Sequence, residues 1–386
     1  MIKIHFVVTG LETGGAEMML FKLLSRLDRA RFSPEVTSLL DMGVLGEKLQ
    51  DHGIPVSCLG MRRGVPDPRK ILTLSIILKR SRPDIVQTWM YHADLIGGLA
   101  AKMAGKTKVG WNIRNGILDP TLSGKQTIWT VKACARLSSF LTDFIVCCAE
   151  SARTIHAELG YRDDRMVVIP NGFDVDTFRP DPEARGRIRS ELGIPENAIV
   201  LGLAGRFDPQ KDHGSFFKAT ARLRTGGDRV RLVLCGNDIN ETNHALTRLM
   251  RDAAMGDGVH LLGRRGDMPQ VTAAFDIACS SSAYGEAFSN TIGEAMACEV
   301  PCVVTDVGDS AAIVGTTGLV VPPRDPDALY GALKKMLDMG PEGRRRLGQL
   351  ARERVVREYS LERVVKQYED LYEGVMASSP RSRGKA

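Results

Sequence analysis

Short runs of apolar, β-forming residues alternate with segments of helical periodicity along almost the whole of this 386-residue chain. The strand candidates of the first half are Ile2–Thr9, Glu35–Leu40, Pro55–Leu59, Ile85–Thr88, Lys108–Ile113, Phe144–Ala149 and Met166–Ile169. The helical segments between them include Ala16–Leu27, Arg69–Arg80, Asp94–Ala104, Thr127–Phe140 and Ser151–Leu159. Such alternation is typical of βαβ units, so we predict an α/β fold built on parallel sheets.

The alternation breaks once and then restarts. The turn sequence Pro170-Asn171-Gly172 is followed by a proline- and charge-rich stretch from Arg179 to Arg187, which indicates a domain boundary. The strand candidates beyond it are Ile199–Ala204, Arg231–Cys235, Val259–Leu262, Ile277–Ser280, Cys302–Thr305 and Leu319–Val321. We therefore predict two doubly wound, Rossmann-like domains, at 1–172 and 173–357, which face each other across a cleft. Residues after Pro341 form one continuous charged helix ending near Met376, and 377–386 form a disordered basic tail.

Composition excludes several other classes of protein. No apolar run approaches the ~18 residues of a membrane-spanning helix. The apolar start, Met1 to Leu11, lacks a basic region and a cleavage site, so we interpret it as a buried strand and expect a cytoplasmic protein. The eight cysteines form no CxxC pair, which disfavours zinc and thioredoxin-like chemistry.

Positive charge is concentrated in the middle of the first half. Residues 60–140 contain 14 Lys and Arg but only 4 Asp and Glu. Such a patch could meet an anionic membrane or a phosphorylated acceptor, or it could be a set of solvated helix faces. The sequence contains no recognised nucleic-acid module and no aromatic stacking platform, so we expect no nucleic-acid partner.

Two loops have the composition of anion-binding sites. Residues 10–17 join the first strand to the first helix and contain Gly10, Gly14 and Gly15, which would let backbone N–H groups approach an anion. A tight βα turn explains the same glycines. Arg206 and Lys211 lie on one loop after a second-half strand, where a diphosphate leaving group would need positive charge.

A third segment, residues 282–296, follows a strand and opens a helix. Glu286 lies in the loop before the helix and Glu294 lies on the helix, with seven residues between them in the pattern Glu-x7-Glu. The backbone N–H groups of Phe288, Ser289 and Asn290 would be donors at the helix N-terminus. This arrangement could bind phosphates through the backbone and sugar hydroxyls through carboxylates, although Glu294 could also be an ordinary surface acid.

The Glu286-x7-Glu294 pair resembles the signature of retaining glycosyltransferases of the GT-B fold, in particular family 4. Four further matches keep the family's order between about residues 10 and 320. They are Gly14-Gly15-Ala16-Glu17, Ile169–Asp174 with Phe178, Gly205-Arg206 with Lys211, and Pro301–Val304 followed by Asp306 and Gly308.

The resemblance implies a set of roles. Arg206 and Lys211 would bind the donor diphosphate, together with the backbone at Gly14, Gly15, Phe288, Ser289 and Asn290. Glu294 would bind the ribose hydroxyls and Glu286 the hydroxyls of the transferred sugar, with Glu286 acting in catalysis. The C-terminal helix, at 358–376, would return to the first domain, which would bind the acceptor. Transfer would retain the anomeric configuration and require no metal or other cofactor, since the nucleotide-sugar is a substrate.

The chain departs from the family at one position. Many members have His-x-His after the strand that follows Pro-Asp, whereas this chain has Gln87 and Trp89 there. His92 is the nearest histidine and is our second catalytic candidate; Asp94 is a weaker candidate for orienting the acceptor. Asn237 and Arg264 follow later strands and could line the base pocket. The D-x-D sequence 174–176 lies away from any strand end, so we do not expect it to bind a metal.

The expected activity is transfer of a sugar, most often from a UDP-sugar in this family, to a glycan in bacterial surface-polysaccharide synthesis. An amphipathic helix at Thr127–Phe140 would allow the enzyme to visit the inner leaflet and extend a lipid-linked saccharide. A sugar-nucleotide epimerase of the same fold and a non-catalytic nucleotide-sugar-binding homologue are the alternatives. A dehydrogenase is disfavoured because the first loop lacks GxGxxG.

Overall fold

The computed structural model describes residues 1–62, 67–116, 124–224 and 229–378. The chain divides into two compact units. Unit 1 consists of residues Met1–Gly172 together with the segment from Leu361 onward, and unit 2 consists of Phe173–Ser360. Both units are α/β, as the alternation of strands and helices predicts. Among the described residues, none of the helices has the length and apolar character needed to cross a bilayer.

Unit 1 contains a sheet of seven strands in the order β3-β2-β1-β4-β5-β6-β7, and every neighbouring pair is parallel. The strands are β1 (Ile2–Val8), β2 (Phe32–Ser38), β3 (Val56–Cys58), β4 (Ile85–Trp89), β5 (Lys108–Ile113), β6 (Phe144–Cys147) and β7 (Met166–Val168). The order reverses direction between β1 and β4, so the ends of these two strands mark the position at which α/β sheets bind ligands.

Six helices connect these strands: α1 (Gly15–Arg26), α2 (Gly43–Asp51), α3 (Pro68–Ser81), α4 (Tyr91–Ala104), α5 (Lys125–Leu141) and α6 (Glu150–Glu158). Helix α4 packs against both α3 and α5, and α1 packs against α2. Because parallel connections are right-handed, the two groups lie on opposite faces of the sheet. We did not predict α2, whose nine residues contain two glycines and a short apolar stripe.

Unit 2 contains six parallel strands in the order β10-β9-β8-β11-β12-β13. They are β8 (Ile199–Ala204), β9 (Val230–Cys235), β10 (Val259–Leu261), β11 (Ile277–Ser280), β12 (Cys302–Thr305) and β13 (Gly318–Val321). Its helices are α7 (Pro182–Glu191), α8 (His213–Arg224), α9 (His244–Asp252), α10 (Met268–Ala273), α11 (Asn290–Ala297), α12 (Ser310–Val314), α13 (Pro326–Asp338) and α14 (Gly340–Tyr359). All thirteen predicted strands are present, with ends shifted by up to three residues.

The C-terminal helix of the prediction is two helices rather than one. Helix α14 ends at Tyr359, Ser360 is extended, and α15 runs from Leu361 to Ala377. The continuous-helix prediction is wrong because the chain leaves unit 2 at this point, where Ser360 forms a β-bridge with Phe173. Helix α15 packs on α1 and contributes Tyr368 and Tyr372 to the core of unit 1. The helix therefore begins at 361 rather than 358; most of the predicted tail, from 379, lies outside the described residues.

Candidate functional site

The donor-site residues predicted for unit 2 follow four neighbouring strands at their carboxyl ends. The loops after β8, β9, β10 and β11 carry, respectively, Arg206 with Lys211, Asn237, Arg264 and Glu286. Parallel strands have their carboxyl ends at one edge of the sheet, so the topology gathers these residues on one side of unit 2. This edge is where open α/β sheets bind their ligands.

The loop after β8 holds Lys211 between two turns. A short 3-10 turn spans Pro209–Lys211, and the Asp208 carboxylate accepts a 2.9 Å hydrogen bond from the Gln210 N–H at its start. Asp212 follows in the left-handed conformation, with φ of 45°, and its carboxylate accepts from the first turn of α8. The backbone on both sides of Lys211 is therefore fixed by side-chain hydrogen bonds.

Lys211 and Glu286 form an ion pair that joins the loops after β8 and β11. Both side chains are largely buried, with 14% and 12% of their surface exposed. Ser282 Oγ donates to the same Glu286 oxygen at 3.1 Å, and Ser281 Oγ donates to the Lys211 carbonyl at 2.7 Å. A partly buried lysine and carboxylate that satisfy each other in this way form a site that could accept an anion and hydroxyls in exchange.

Arg206 lies at the outer side of the same loop. Its guanidinium donates to Asp208 at 3.1 Å and to Gln210 Oε1 at 3.0 Å, and 55% of its side chain is exposed. Gln210 also accepts a 2.7 Å backbone hydrogen bond from Ala283, on the β11 loop. Arg206 is thus held within its own loop, which is itself hydrogen-bonded to the loop that carries Glu286, and more than half of its side chain is exposed.

The segment between Glu286 and helix α11 passes close to a second loop. Gly308 has φ of 59°, and a Cβ there would lie 2.2 Å from the carbonyl oxygen of Glu286. Only glycine permits this backbone approach. Phe288 stacks on Phe173 with 6.0 Å between ring centroids, and Ser289 precedes the first residue of α11, Asn290. The Ser289 side chain forms no capping hydrogen bond with the first turn of α11.

The remaining predicted residues of unit 2 lie on helix α11 or in the loops after β9 and β10. Glu294, on α11, lines a small cavity with Ala204 and Ser280 at the ends of β8 and β11. Asn237 is exposed after β9, and its carbonyl accepts a 2.8 Å hydrogen bond from the N–H of Phe207 beside Arg206. Arg264 is exposed after β10, which is separated from β8 by β9, roughly 10 Å away.

The glycine loop of unit 1 begins helix α1. Gly14 is the residue before the helix, and Gly15 is its first residue. The Glu17 carboxylate folds back over Gly14, where a Cβ would lie only 2.2 Å from Oε2. The positive end of the α1 dipole therefore has a carboxylate of the same chain beside it. A donor phosphate at Gly14 and Gly15 would have to share this position with the Glu17 carboxylate or displace it.

Unit 1 has a pocket of about 530 Å³ at the carboxyl ends of its strands. His92 lines it from the start of α4, and burial lowers the pKa of this imidazole. The other polar and charged side chains of the lining are Thr9, Glu12, Glu17, Asp41, Tyr91, Asn115 and Thr127. The pocket lies at the reversal point of the strand order, and the mixture of carboxylates, amide and hydroxyls suits a hydroxyl-rich ligand.

Gln87 and Trp89, at the His-x-His positions, do not line this pocket. Both are fully buried in β4; the Trp89 indole N–H donates to the carbonyl of Ala16 at 3.0 Å. Asp94 is also fully buried and accepts a 2.5 Å hydrogen bond from Thr88 Oγ1. The suggestion that Asp94 orients the acceptor is wrong, because its carboxyl faces the sheet rather than the pocket.

The D-x-D sequence 174–176 and a second one, Asp325-Pro326-Asp327, cap local structure. Asp174 accepts a 3.0 Å hydrogen bond from the N–H of Thr177, and Asp325 caps α13 through the N–H groups of Asp327 and Ala328. Among the residues that the structure describes, no three His, Cys, Asp or Glu side chains are grouped as metal ligands.

Several residues at these sites were not predicted as site residues. Ser281 and Ser282 support the ion pair, Gln210 accepts a hydrogen bond from Arg206, and Glu12 and Asp41 line the unit 1 pocket. All five follow strands β1, β2, β8 or β11 within a few residues. Position after a strand was thus the available signal, but the sequence alone does not show which of the many polar loop residues point inward.

Comparison with known proteins agrees with this architecture. The family model "Glycosyltransferase Family 4" matches residues 13–177, and "Glycosyl transferases group 1" matches residues 198–339. HepE of Anabaena, solved in complex with UDP, superposes with a TM-score of 0.85 at 21% identity, covering 97% of this chain and 100% of that chain.

Two curated relatives are also similar. The UDP-Gal:alpha-D-GlcNAc-diphosphoundecaprenol alpha-1,3-galactosyltransferase of Escherichia coli is 23% identical over 334 residues, 85% of this chain and 84% of that protein. The D-inositol 3-phosphate glycosyltransferase of Saccharomonospora viridis is 32% identical over 227 residues, 56% of this chain and 51% of that protein. Two parallel sheets in tandem, the two family models and these relatives agree: the chain belongs to glycosyltransferase family 4 and is a glycosyltransferase with the GT-B fold.

Proposed function

We propose that this glycosyltransferase moves a sugar from a nucleotide-diphosphate donor, most readily a UDP-sugar, to a lipid-linked glycan during synthesis of a bacterial surface polysaccharide. The observation that carries the proposal is the Lys211–Glu286 ion pair beside Arg206 at the carboxyl edge of the unit 2 sheet. Solved structures of HepE contain UDP and UDP-glucose, and the E. coli relative is named for a diphosphoundecaprenol acceptor. Both support the proposal.

In this proposal the donor replaces the internal ion pair. The diphosphate binds Lys211 and Arg206, and hydroxyls of the transferred sugar bind the Glu286 carboxylate. Negative charge grows on the diphosphate as the glycosidic bond breaks, so the ammonium group stabilises the transition state more than the ground state. Glu294 binds the ribose hydroxyls, and backbone N–H groups at Phe288, Ser289 and Asn290 hold the phosphates. The cations supply the neutralising charge, and we propose that no metal is needed.

The acceptor occupies the unit 1 pocket in this scheme. Its carboxylates, Glu12, Glu17 and Asp41, accept hydrogen bonds from sugar hydroxyls and disfavour a phosphate at the same position. His92 is neutral at neutral pH because burial lowers its pKa, so it can accept a hydrogen bond from the attacking hydroxyl. We propose retention of configuration, so an α-linked donor would give an α-linked product. The anomeric signals of donor and product in NMR spectra test this step.

Isothermal titration with UDP, GDP and ADP tests the donor site. We expect micromolar binding of one nucleotide, with UDP first, and loss of binding in the Arg206→Ala/Lys211→Ala variant. Lys218→Ala removes an exposed lysine of α8 and is the matched control. Binding of no nucleotide, or binding that survives the double variant, would overturn the donor assignment. Nucleotide-sugar turnover that yields an epimer and no transfer would instead identify an epimerase.

A further inference from the structure

Helices α3, α4 and α5 form a strongly cationic face of unit 1. They pack side by side, with α4 in the middle. Together they carry eight Lys and Arg residues, whereas their one acidic residue, Asp94, is fully buried beneath them. The exposed cations are Arg69, Lys79, Arg80, Lys102, Lys125, Lys132 and Arg136. Asp67, the N-cap residue of α3, pairs with Arg69, so the outward surface of the three helices has a large excess of positive charge rather than positive charge alone.

Large apolar side chains are exposed among these cations. On α3, Leu72 and Ile76 are 55% and 52% exposed, and on α4 Met103 is 55% exposed. On α5, Trp129 and Phe140 are 66% and 67% exposed, more than any other aromatic residue that the structure describes. A single exposed apolar side chain is ordinary, but five on three adjacent helices form a patch that marks an interaction site.

The exposed cationic and apolar side chains lie on the same faces of these helices. Lys125, Trp129, Lys132 and Arg136 recur along α5 at intervals of three or four residues, whereas the intervening Thr130, Val131, Cys134 and Ala135 are buried against the unit. On α3, Arg69, Leu72, Ile76 and Arg80 form the equivalent stripe. Lys102 also reaches over the Phe140 ring, 6.0 Å from its centroid, so α4 and α5 share one surface.

This combination of exposed cations and exposed apolar side chains fits the surface of a lipid bilayer. Aromatic and aliphatic side chains insert at the level of lipid head groups, while long Lys and Arg side chains extend to the phosphates around them. Each cation near an anionic bilayer surface contributes attraction of about 1 kcal/mol. We propose that the α3–α4–α5 face binds the surface of a bilayer that contains anionic phospholipids, with Trp129 and Phe140 inserted.

The location of the face gives this binding a role, which rests on the proposed function. Thr127 lines the unit 1 pocket, and Trp129 is only two residues further along α5, about 3 Å along the helix axis. Tyr91 and His92, at the start of α4, line the same pocket. A bilayer against this face would place the acceptor pocket near the head groups, where the saccharide of a lipid-linked acceptor is found.

Flotation with vesicles of phosphatidylcholine and ~30% phosphatidylglycerol tests the proposal. We expect the full-length protein to float at low salt and to be released as salt screens the charges. Lys132→Glu/Arg136→Glu should lower the partition coefficient roughly a hundredfold or more, because reversing two charges changes the charge of the face by four units. Trp129→Ser/Phe140→Ser should lower it about tenfold or more and leave the salt dependence in place.

Matched changes on α14 are the controls. Arg345→Glu/Arg346→Glu and Leu350→Ser/Val356→Ser alter exposed residues of the same types in unit 2 and should leave flotation unchanged. The proposal is overturned if the protein does not float, or if both pairs of α5 variants float like the parent chain. It is also overturned if Trp129→Ser/Phe140→Ser instead dissolves a self-associated species, which would make the face an interface between copies.

A second readout separates this proposal from the assigned activity. The α5 variants should keep UDP affinity and turnover of a short, water-soluble acceptor within about twofold, and lose turnover of a lipid-linked acceptor in vesicles. Vesicle binding without any sugar transfer would support the membrane face while contradicting the proposed function. Transfer to both acceptors by variants that no longer float would contradict the membrane face alone.

Discussion

Lys211 and Glu286, separated by 75 residues in sequence, form an ion pair at the end of the unit 2 sheet. The pair joins the loops that follow β8 and β11, the two middle strands of this sheet, and it is supported by Ser281 and Ser282. Each charged group thus compensates the other. A nucleotide-sugar has groups of both kinds, a diphosphate and hydroxyls, and can therefore satisfy both residues when it separates them.

The two members of this pair should show coupled effects on catalysis. Lys211→Ala should lower kcat roughly 10²–10³-fold, because the growing charge of the leaving diphosphate loses its cation. Glu286→Ala should also lower kcat, and the double variant should lose less than the sum of the two free-energy changes. Steady-state kinetics on the four proteins of this cycle give the coupling. Independent, additive losses in the cycle would show that the pair does not act as one unit.

Glu294→Ala should act mainly on donor binding. Removal of a carboxylate that holds the ribose should raise the dissociation constant for the nucleotide roughly ten- to a hundredfold, since one charge-assisted interaction is worth about 1.5–3 kcal/mol. Glu353→Ala, an exposed acid on α14, is the control. Titration with the nucleotide that the parent protein binds measures the effect. Unchanged affinity together with a full loss of turnover would assign Glu294 to catalysis instead.

His92→Ala should separate the acceptor step from the donor step. We expect sugar transfer to fall about tenfold or more, while nucleotide affinity stays within about twofold. Because burial lowers the pKa of His92, the imidazole is neutral above pH 7, and its titration should not limit activity between pH 7 and 8. His52→Ala, an exposed histidine of the same unit, is the control. Equal loss of nucleotide binding and transfer would place His92 in the donor site.

Asp94 should make unit 1 less stable as pH rises. Burial raises the pKa of this carboxyl from 3.8 to about 7 in the folded protein, so the folded state retains a proton that the unfolded state has lost. Stability from this group is therefore fully present below about pH 4, near the unfolded pKa, and is lost as pH rises to about 7, the folded pKa. Asp94→Asn should remove that fall and be more stable than the parent at pH 8 by on the order of 4 kcal/mol.

Urea unfolding of the parent and Asp94→Asn at pH 5 and pH 8 measures the difference. Asparagine can still accept the hydrogen bond from Thr88, which keeps the comparison clean. Other buried groups, such as His156, whose pKa burial lowers to about 4, are common to both proteins and cancel. If the free energy of unfolding changed equally with pH in both proteins, the raised pKa of Asp94 would be contradicted.

Helix α15 should be essential for the stability of unit 1. Tyr372 is fully buried against Phe6 and Phe32, with ring centroids 6.5 and 6.1 Å away. Tyr372→Ala should cost about 3–5 kcal/mol through lost burial and the resulting cavity. Tyr372→Phe should cost little, because the hydroxyl has no hydrogen-bond partner among the described residues. Thermal unfolding distinguishes the two Tyr372 variants, and Lys366→Ala, a change at an exposed residue of the same helix, is the control. Equal losses of stability in the two Tyr372 variants would argue against a packing role.

The strands were predictable from sequence because central strands of parallel sheets are continuous apolar runs between turn residues. Strand β8, for example, contains six apolar or glycine residues and lies as predicted. Helix α2 was not, because its glycines and short apolar stripe give a weak periodic signal. The break at Ser360 was also missed. Both α14 and α15 have strong helical sequences, and the interruption depends on a bridge to Phe173, 187 residues earlier.

The sequence allowed the chemically distinctive residues of the site to be predicted, but not the others. Glu286 and Lys211 could be proposed because their spacing resembles a family signature, and the structure brings them into contact. Glu12 and Asp41 could not be predicted as site residues, because an acidic residue in a loop of a charged sequence has no distinguishing pattern. Asp94 was misplaced for a related reason, since the start of a helix does not reveal which face is buried.

Because α15 belongs to unit 1, the ribosome finishes translating unit 2 before it finishes unit 1. Unit 1 begins at the first strand, yet five of its core side chains belong to the helix that is translated after all of unit 2. Unit 2 is contiguous, and Phe173 pairs with Ser360 at its two ends, so its whole sequence is available before α15 emerges. During synthesis the second unit can therefore complete its core while the first still exposes apolar surface, which makes the nascent first half a natural client for chaperones.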